Sequence, residues 1–356
     1  MTKVRVGLIG FGAMGARHAA AAAKSKLIDL VAIADPAKER LQSVVAEHGL
    51  LRTYEDGMEL LQDEGVDAVV LALPTGLRGP LVMEAFAHGK HVLVEKPVAM
   101  NGPELERMIA AKGDVVGACC SSRHRFLPHA EAVTQFLRDQ PLGPIRSILI
   151  RNFSPAKPRP EKEKPAWRLS RELNGGGILV NWGGYDFDYV LGVLGWSLDP
   201  VTVLAQSWGI PPILSSHVAE GSDGETHVAA FIRCAGGEVI QYERAEYLSL
   251  STHAIWEIIG TRGSLRLQMI PSVGKKICYD YLDEEKGACS TVLWEGDEEG
   301  AVVHTRPVQD FAEAILEGRS PATTFEQSLI IQKITDAIYA SAAQSQAVTL
   351  DRSPKT

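Results

Sequence analysis

The chain lacks most of the features that mark a secreted, membrane-bound or nucleic-acid-binding protein. Its 356 residues include five cysteines, Cys119, Cys120, Cys234, Cys278 and Cys289. That odd number, with no C-x-x-C pair, argues against a disulfide framework or a zinc site. No apolar run approaches the roughly 18 residues of a membrane span. Met1-Thr2-Lys3 leads into the first predicted strand without a charged and apolar leader, so no secretory signal is expected. Basic residues are outnumbered, 36 Lys+Arg against 44 Asp+Glu, for a formal net charge of -8. An acidic balance of that kind speaks against nucleic acid or an anionic membrane as partner. His124 and His129 lie five apart, and His217, His227, His253 and His304 are scattered, so no histidine-carboxylate metal pattern is read and no metal is expected. These absences describe a cytoplasmic protein with a small-molecule ligand, long enough for two domains.

The positive signals begin at Val4. VRVGLIGFGAMG, Val4 to Gly15, reads as a buried strand running into a glycine-turned helix. Gly10-Phe11-Gly12-Ala13-Met14-Gly15 is G-x-G-x-x-G at that junction. The first glycine allows the tight turn, the second lets a pyrophosphate approach the backbone, and the third lets helix and strand pack closely. The free N–H groups of a helix Ala13 to Lys24 would face the diphosphate. A strand Leu30 to Ala34 then ends in Asp35, twenty residues beyond Gly15 (35 − 15). An acid there accepts hydrogen bonds from ribose hydroxyls and repels a 2′-phosphate, favouring NAD over NADP, with Arg40 placed to reach a phosphate if NADP is used. Asp35-Pro36 also suits the start of a helix Ala37 to His48.

The alternation continues with strand Ala68 to Leu73 ending at Pro74-Thr75-Gly76, helix Pro80 to Ala87, and strand His91 to Val94 ending at Glu95-Lys96-Pro97. Strands alternating with helices predict a parallel sheet with right-handed crossovers. Gly10, Asp35, Pro74 and Glu95 would then emerge at its carboxyl edge, where ligands bind. Lys96 at that edge reads from its position either as an exposed loop lysine or as an ammonium placed to stabilise developing oxyanion character on a substrate. Helix Pro103 to Ala111 and strand Val115 to Cys119 complete a first domain, 1–122, leaving 123–356 as a second. There, helix Pro128 to Arg138 precedes strands Ile145 to Asn152, Val201 to Trp208, Thr226 to Arg233, Glu238 to Tyr247, Ile255 to Ile259 and Ser264 to Gln268. Turns as short as Gly236-Gly237 and Arg262-Gly263 favour antiparallel neighbours. The predicted fold class is α/β: a Rossmann dinucleotide-binding domain followed by an α/β domain with an open, mainly antiparallel sheet. Amphipathic helices Val308 to Leu316 and Phe325 to Ala343 are expected to support the second domain, followed by a polar tail from Asp351.

Lys157 to Arg171, rich in proline and charge, reads as a solvated loop, except that Trp167-Arg168 offers an aromatic face and a guanidinium to a polyhydroxylated or anionic ligand. In GGGILVNWGGYDFDYVLGVL, Gly175 to Leu194, a helix from Ile178 would align Asn181, Tyr185 and Asp188 in one polar stripe beside an apolar stripe of Phe187, Leu191 and Leu194.

GFGAMG, Ala34-Asp35-Pro36, Pro74-Thr75 and above all GKHVLVEKP (Gly89 to Pro97) resemble the glucose-fructose oxidoreductase / inositol dehydrogenase family, Gfo/Idh/MocA. HRFLP (His124 to Pro128), Trp167-Arg168, the glycine run at Gly175 and GTRGSL (Gly260 to Leu265) extend the resemblance over nearly the whole chain. It implies a catalytic role for Lys96, often with a cis proline at Pro97, and places Trp167 and Arg168 near the active site, where Arg125, Asn181 and Asp188 are further candidate substrate contacts. It also implies cofactor contacts from Gly10 to Gly15, Asp35, Pro74, Thr75, Glu95 and Lys96, and a homodimer or homotetramer formed through the second-domain sheet. The family usually has Asp-x-x-x-His where this chain has Asn181 and Tyr185, though tyrosine at the second place occurs in some members. Oxidising a carbinol needs a group to take the hydroxyl proton. Asn181 does not ionise, so Tyr185 is assigned the proton, Lys96 the polarisation of the substrate oxygen and the lowering of the phenol's pKa, and Asn181 orientation of the substrate. The expected activity is NAD(P)-dependent oxidation or reduction of a sugar, cyclitol or related polyol. An NAD-dependent glycosidase of the same fold and a non-catalytic dinucleotide sensor are the rivals.

Overall fold

The computed structural model describes residues 2–49, 51–158, 165–250 and 253–351. Part of the Lys157 to Arg171 loop (159–164) and the tail from 352 therefore lie outside the described residues. Contacts divide the chain into two units: Met1–Arg123 with Ala301–Ile330, and His124–Gly300 with Ile331–Thr356.

The first unit is built on six parallel strands: β1 (Val4–Ile9), β2 (Ile28–Ala34), β3 (Arg52–Tyr54), β4 (Ala68–Leu71), β5 (His91–Val94) and β6 (Gly117–Cys119). Their order, β3-β2-β1-β4-β5-β6, is that of a doubly wound sheet whose direction of winding reverses between β1 and β4. Alternate side chains enter opposite layers, as a pleated strand requires. Ala68 and Val70 of β4 join Leu93 of β5 in one core cluster, while Val69, Leu71, Val92 and Val94 join the other. Helices α1 (Ala13–Lys24), α2 (Lys38–His48), α3 (Gly57–Leu61), α4 (Arg78–Ala87) and α5 (Gly102–Ala111) connect them.

The segment Ala301–Ile330 packs with this unit, whereas the sequence division at 122 assigns it to the second. The cause lies in its apolar spacing. Helix Val302–Glu317 begins six residues before the expected Val308, and Val308, Phe311 and Ala312, at i, i+3 and i+4, enter the same core cluster as Leu8 of β1.

The second unit holds nine strands: β7 (Ile145–Pro155), β8 (Pro200–Trp208), β9 (His227–Cys234), β10 (Val239–Leu248), β11 (His253–Gly260), β12 (Gly263–Leu267), β13 (Lys275–Asp283), β14 (Gly287–Gly296) and β15 (Val348–Thr349). The order is β14-β13-β12-β11-β7-β10-β9-β8-β15, and every pairing is antiparallel except β7 with β10. The turns at Gly236-Gly237 and Arg262-Gly263 close hairpins as expected. Helix α6 (Pro128–Leu137), the single turn α7 (Arg171–Asn174), α8 (Gly184–Val193) and, from Ile331 onward, the helix Phe325–Gln344 belong to this unit, while Phe325 at the start of that last helix enters a core cluster of the first.

His129, which the sequence reading leaves without a role, belongs to a buried ion cluster. Glu298 takes Lys275 Nζ at 2.6 Å on one oxygen and His129 Nδ1 at 2.6 Å on the other, with all three side chains fully buried. Burial alone would raise the Glu298 pKa, but hydrogen bonds from His129 and Lys275 outweigh it and hold the carboxyl down at about 2. The cluster ties the start of α6 to β13 and to the segment after β14.

Candidate active site

In the first unit, the glycine turn has the geometry a dinucleotide requires. Gly10 follows β1 with φ +90°, a left-handed conformation that favours glycine, and a Cβ there would sit 2.7 Å from Ala72 O. A Cβ on Gly15 would come within 2.0 Å of Gly10 O, so the helix approaches the strand only because that residue is glycine. Gly12, the N-cap of α1, makes no side-chain cap, and its missing Cβ faces no atom within 4 Å. The first N–H groups of α1 are thus left beside an open cradle, which fits a pyrophosphate. Phe11, Gly12 and Met14 are half-buried and Ala13 is exposed along this turn.

Asp35 follows β2 and is 3% exposed. Its Oδ2 accepts Phe11 N at 2.7 Å, its Oδ1 accepts Ala37 N at 2.9 Å, and Arg40 Nη1 lies 3.3 Å from Oδ2. The acid is therefore both a brace for the glycine turn and a support for the start of α2, with the Arg40 guanidinium beside it.

Pro74 is half-buried and Thr75 buried in the connection after β4. After β5, Glu95 turns inward. Its Oε1 accepts Arg123 Nη2 at 2.6 Å and meets His18 Nε2 at 2.9 Å. Burial opposes the charge, and the Arg123 guanidinium together with His18 holds the carboxyl well below the usual range. Lys96 comes next, half-buried, with a cis peptide bond to Pro97. Among the described residues, His18, Glu95 and Cys120 form one group whose ligand atoms lie within 4.8 Å of one another. The Arg123 guanidinium already supplies the cation to that carboxylate, so the group reads as a buried ion pair. His304 completes the network at 3.0 Å from Arg17 Nη1, with its pKa pushed down to about 4 by burial and by Arg123 and Arg17.

In the second unit, the predicted helix from Ile178 opens with a π-helical turn, Leu179–Gly183, before α8. Such a turn adds a residue to the i→i−4 spacing, so the segment between Asn181 and Tyr185 departs from the regular helix assumed in predicting the stripe of Asn181, Tyr185 and Asp188. Nor does α8 present a polar face outward, since every residue from Tyr185 to Val193 is buried. Each polar group is instead met from another segment. Asn181, 9% exposed, donates from Nδ2 to Arg168 O at 3.1 Å and accepts from Asn174 Nδ2 at 3.4 Å. Tyr185, 8% exposed, is held edge-on by Trp182 (centroids 6.0 Å apart) and by His124 (5.4 Å). Asp188, fully buried, accepts Arg125 Nε at 2.7 Å. Trp167 is 39% exposed, and Arg168 reaches Glu246 at 3.7 Å. The structure thus brings Asn181 together with the Arg168 backbone, and Asp188 with Arg125. These last two support each other within the unit.

Sequence reading missed two carboxylates that set this region. Asp186, next to Tyr185, is fully buried against Arg244 (2.6 and 2.9 Å) and Tyr242 Oη (3.0 Å). Glu225, 1% exposed, accepts Gly177 N at 2.9 Å, Leu179 N at 3.0 Å and Tyr339 Oη at 2.9 Å, satisfying N–H groups at the start of the helical segment. A Cβ on Gly177 would lie 1.9 Å from Glu225 O, which explains a glycine there. Nothing within either local stretch announces these pairings.

Residues 4–117 match the family described as "Oxidoreductase family, NAD-binding Rossmann fold", and residues 135–350 match its "C-terminal alpha/beta domain". The chain is 25% identical over 327 residues to scyllo-inositol 2-dehydrogenase (NAD(+)) of Bacillus subtilis, covering 90% of this chain and 89% of the relative. It is 30% identical over 203 residues to myo-inositol 2-dehydrogenase of Thermotoga maritima, covering 56% of this chain and 57% of that one. A solved levoglucosan dehydrogenase in complex with NADH shares the fold, with TM-score 0.83 at 22% identity over 99% of this chain and 100% of that one. No helix among the described residues is long and apolar enough to cross a membrane. With its glycine cradle, its doubly wound sheet and both domains matched, the chain belongs to the Gfo/Idh/MocA oxidoreductase family and carries that family's NAD-binding Rossmann domain.

Proposed function

We propose that this oxidoreductase interconverts a hydroxyl and a carbonyl on a sugar, cyclitol or related polyol, in the cytoplasm, with NAD as its nucleotide and NADP as the alternative. The observation that carries the reading is the arrangement after β5, where Glu95 is locked inward and the next residue, Lys96, is left half-buried at the carboxyl edge of a dinucleotide-binding sheet. Gly10 to Gly15 receive the pyrophosphate, Asp35 the ribose, and Pro74 and Thr75 border the nicotinamide end. NAD, when bound, would supply the hydride acceptor for the carbinol carbon, and its reduced form the donor for the reverse direction. Lys96 polarises the reacting oxygen, and Tyr185 takes its proton in oxidation and returns it in reduction. Asn181, its own amide fixed by Arg168 O and Asn174, orients neighbouring hydroxyls. Trp167 offers an aromatic face and Arg168 a guanidinium to the polyol, while the buried Asp188 of α8 holds the half-buried Arg125.

A homodimer or homotetramer through the second-unit sheet is part of the proposal. Its support is an apolar pair on neighbouring strands: Leu204 of β8 and Phe231 of β9 are in register opposite each other, 52% and 45% exposed.

Lys96→Ala tests the assignment. Turnover on a polyol should fall by about 10²–10³-fold, the scale on which removal of one oxyanion-stabilising donor is felt, with a much smaller change in NADH affinity by fluorescence titration. Loss of NADH binding in proportion to turnover would make Lys96 a cofactor anchor only.

A further inference from the structure

Arg78 is the first residue of α4 and is 5% exposed. A cation there lies at the wrong end of a helix, because the macrodipole disfavours positive charge in the first turn. Its partners explain its presence. Arg78 Nε donates to Leu73 O at 2.7 Å, and Nη1 donates to Glu95 O and Pro97 O. Leu73 lies in the connection after β4, and Glu95 and Pro97 bracket Lys96 in the connection after β5. One planar guanidinium therefore ties together the exits of two adjacent strands and fixes the main chain on both sides of Lys96. The guanidinium presents these donors from separate nitrogens of one rigid plane, whereas an ammonium would have to gather all of them at a single atom on a flexible stem. On the other side of the same residue, Arg123 and His18 pin the Glu95 carboxylate, so both the backbone and the side chain preceding Lys96 are immobilised by buried groups.

We propose that Arg78 is a positioning residue for catalysis, setting where the Lys96 ammonium lies by clamping the Glu95 and Pro97 carbonyls to the end of β4. The inference rests on the catalytic reading of Lys96. A displacement of about 1 Å at a reacting group costs roughly 10²-fold in rate, which sets the expected effect.

The test compares Arg78→Met, Arg78→Lys, Lys96→Ala and the double variants, in full-length enzyme with NAD and a panel of inositols, aldoses and anhydro-sugars. The readouts are kcat, KM, NADH affinity and melting temperature. Arg78→Met should lower kcat by about 10²-fold, leaving NADH affinity at the wild-type value, and Arg78→Lys should fall between the two. In the Lys96→Ala background neither Arg78 substitution should lower kcat further, because the group it positions is gone. If Arg78→Met does not fold, Arg78→Lys carries the same comparison. Multiplied losses in the double variants, or a lower melting temperature with unchanged kcat, would make Arg78 purely structural and overturn the inference while leaving Lys96 its role. Full turnover in Lys96→Ala, or no turnover by the wild type on any member of the panel, would overturn the reading of Lys96 and the inference with it.

Discussion

Replacing Tyr185 by phenylalanine is expected to lower kcat by about 10²–10⁴-fold, the range supplied by a positioned general acid–base group, with NADH affinity unchanged. The substitution isolates the hydroxyl. Phenylalanine keeps the ring that Trp182 and His124 hold edge-on, so the surrounding packing is retained and the loss falls on proton transfer. Asn181, the other residue at this place in the family pattern, has no ionisable group to substitute for it. Steady-state kinetics on the best polyol, with NADH titration alongside, separates the two quantities. Wild-type turnover in Tyr185→Phe would remove the phenol from the mechanism.

The second large effect is on stability. Lys275→Met should destabilise the second unit by about 3–5 kcal/mol, because it removes the cation paired with the fully buried Glu298 carboxylate and leaves His129, whose burial disfavours its charged form, as the remaining side-chain partner among the described residues. Urea unfolding monitored by a probe within that unit measures it, and adding Glu298→Gln should recover part of the loss by removing the orphaned charge. The pH dependence has a definite sign. Glu298 titrates at about 2 in the folded protein against an ordinary value of 4.5. Its contribution is therefore present above about pH 4.5 and is lost as pH falls through about 2. The gap between wild type and Lys275→Met should narrow over that window. A loss below about 1 kcal/mol at neutral pH, the scale of a surface ion pair, would contradict the account.

The parts of this protein that were legible in its sequence are those encoded by neighbours. Gly10, Gly12, Gly15 and Asp35 lie within one β-α-β unit, and their spacing is dictated by the turn, the helix dipole and the strand end, so the NAD-binding Rossmann domain was readable from local rules. Strand alternation likewise gave the parallel sheet, and short glycine turns gave the antiparallel one. The three-residue β3 and the β13/β14 hairpin went unread. The hairpin lies toward one edge of the sheet with few fully buried residues, so its apolar alternation is weak. The groups that brace the site were invisible for a different reason. Arg78 meets Glu95 from 17 residues away, Arg123 meets it from 28, Glu225 meets Gly177 from 48, and Lys275 meets His129 from 146. No periodicity connects such pairs. The π-helical turn before α8 is a third case, since the residues Leu179–Gly183 carry no local sign of it.

The chemistry itself is most directly tested by stoichiometry. Purified enzyme, NAD and the best substrate of a polyol and glycoside panel should yield one carbonyl product for each NADH formed. Cleavage of a glycosidic bond without accumulation of NADH, or binding of NADH with no product of either kind, would contradict an enzyme that ends its cycle with a transferred hydride.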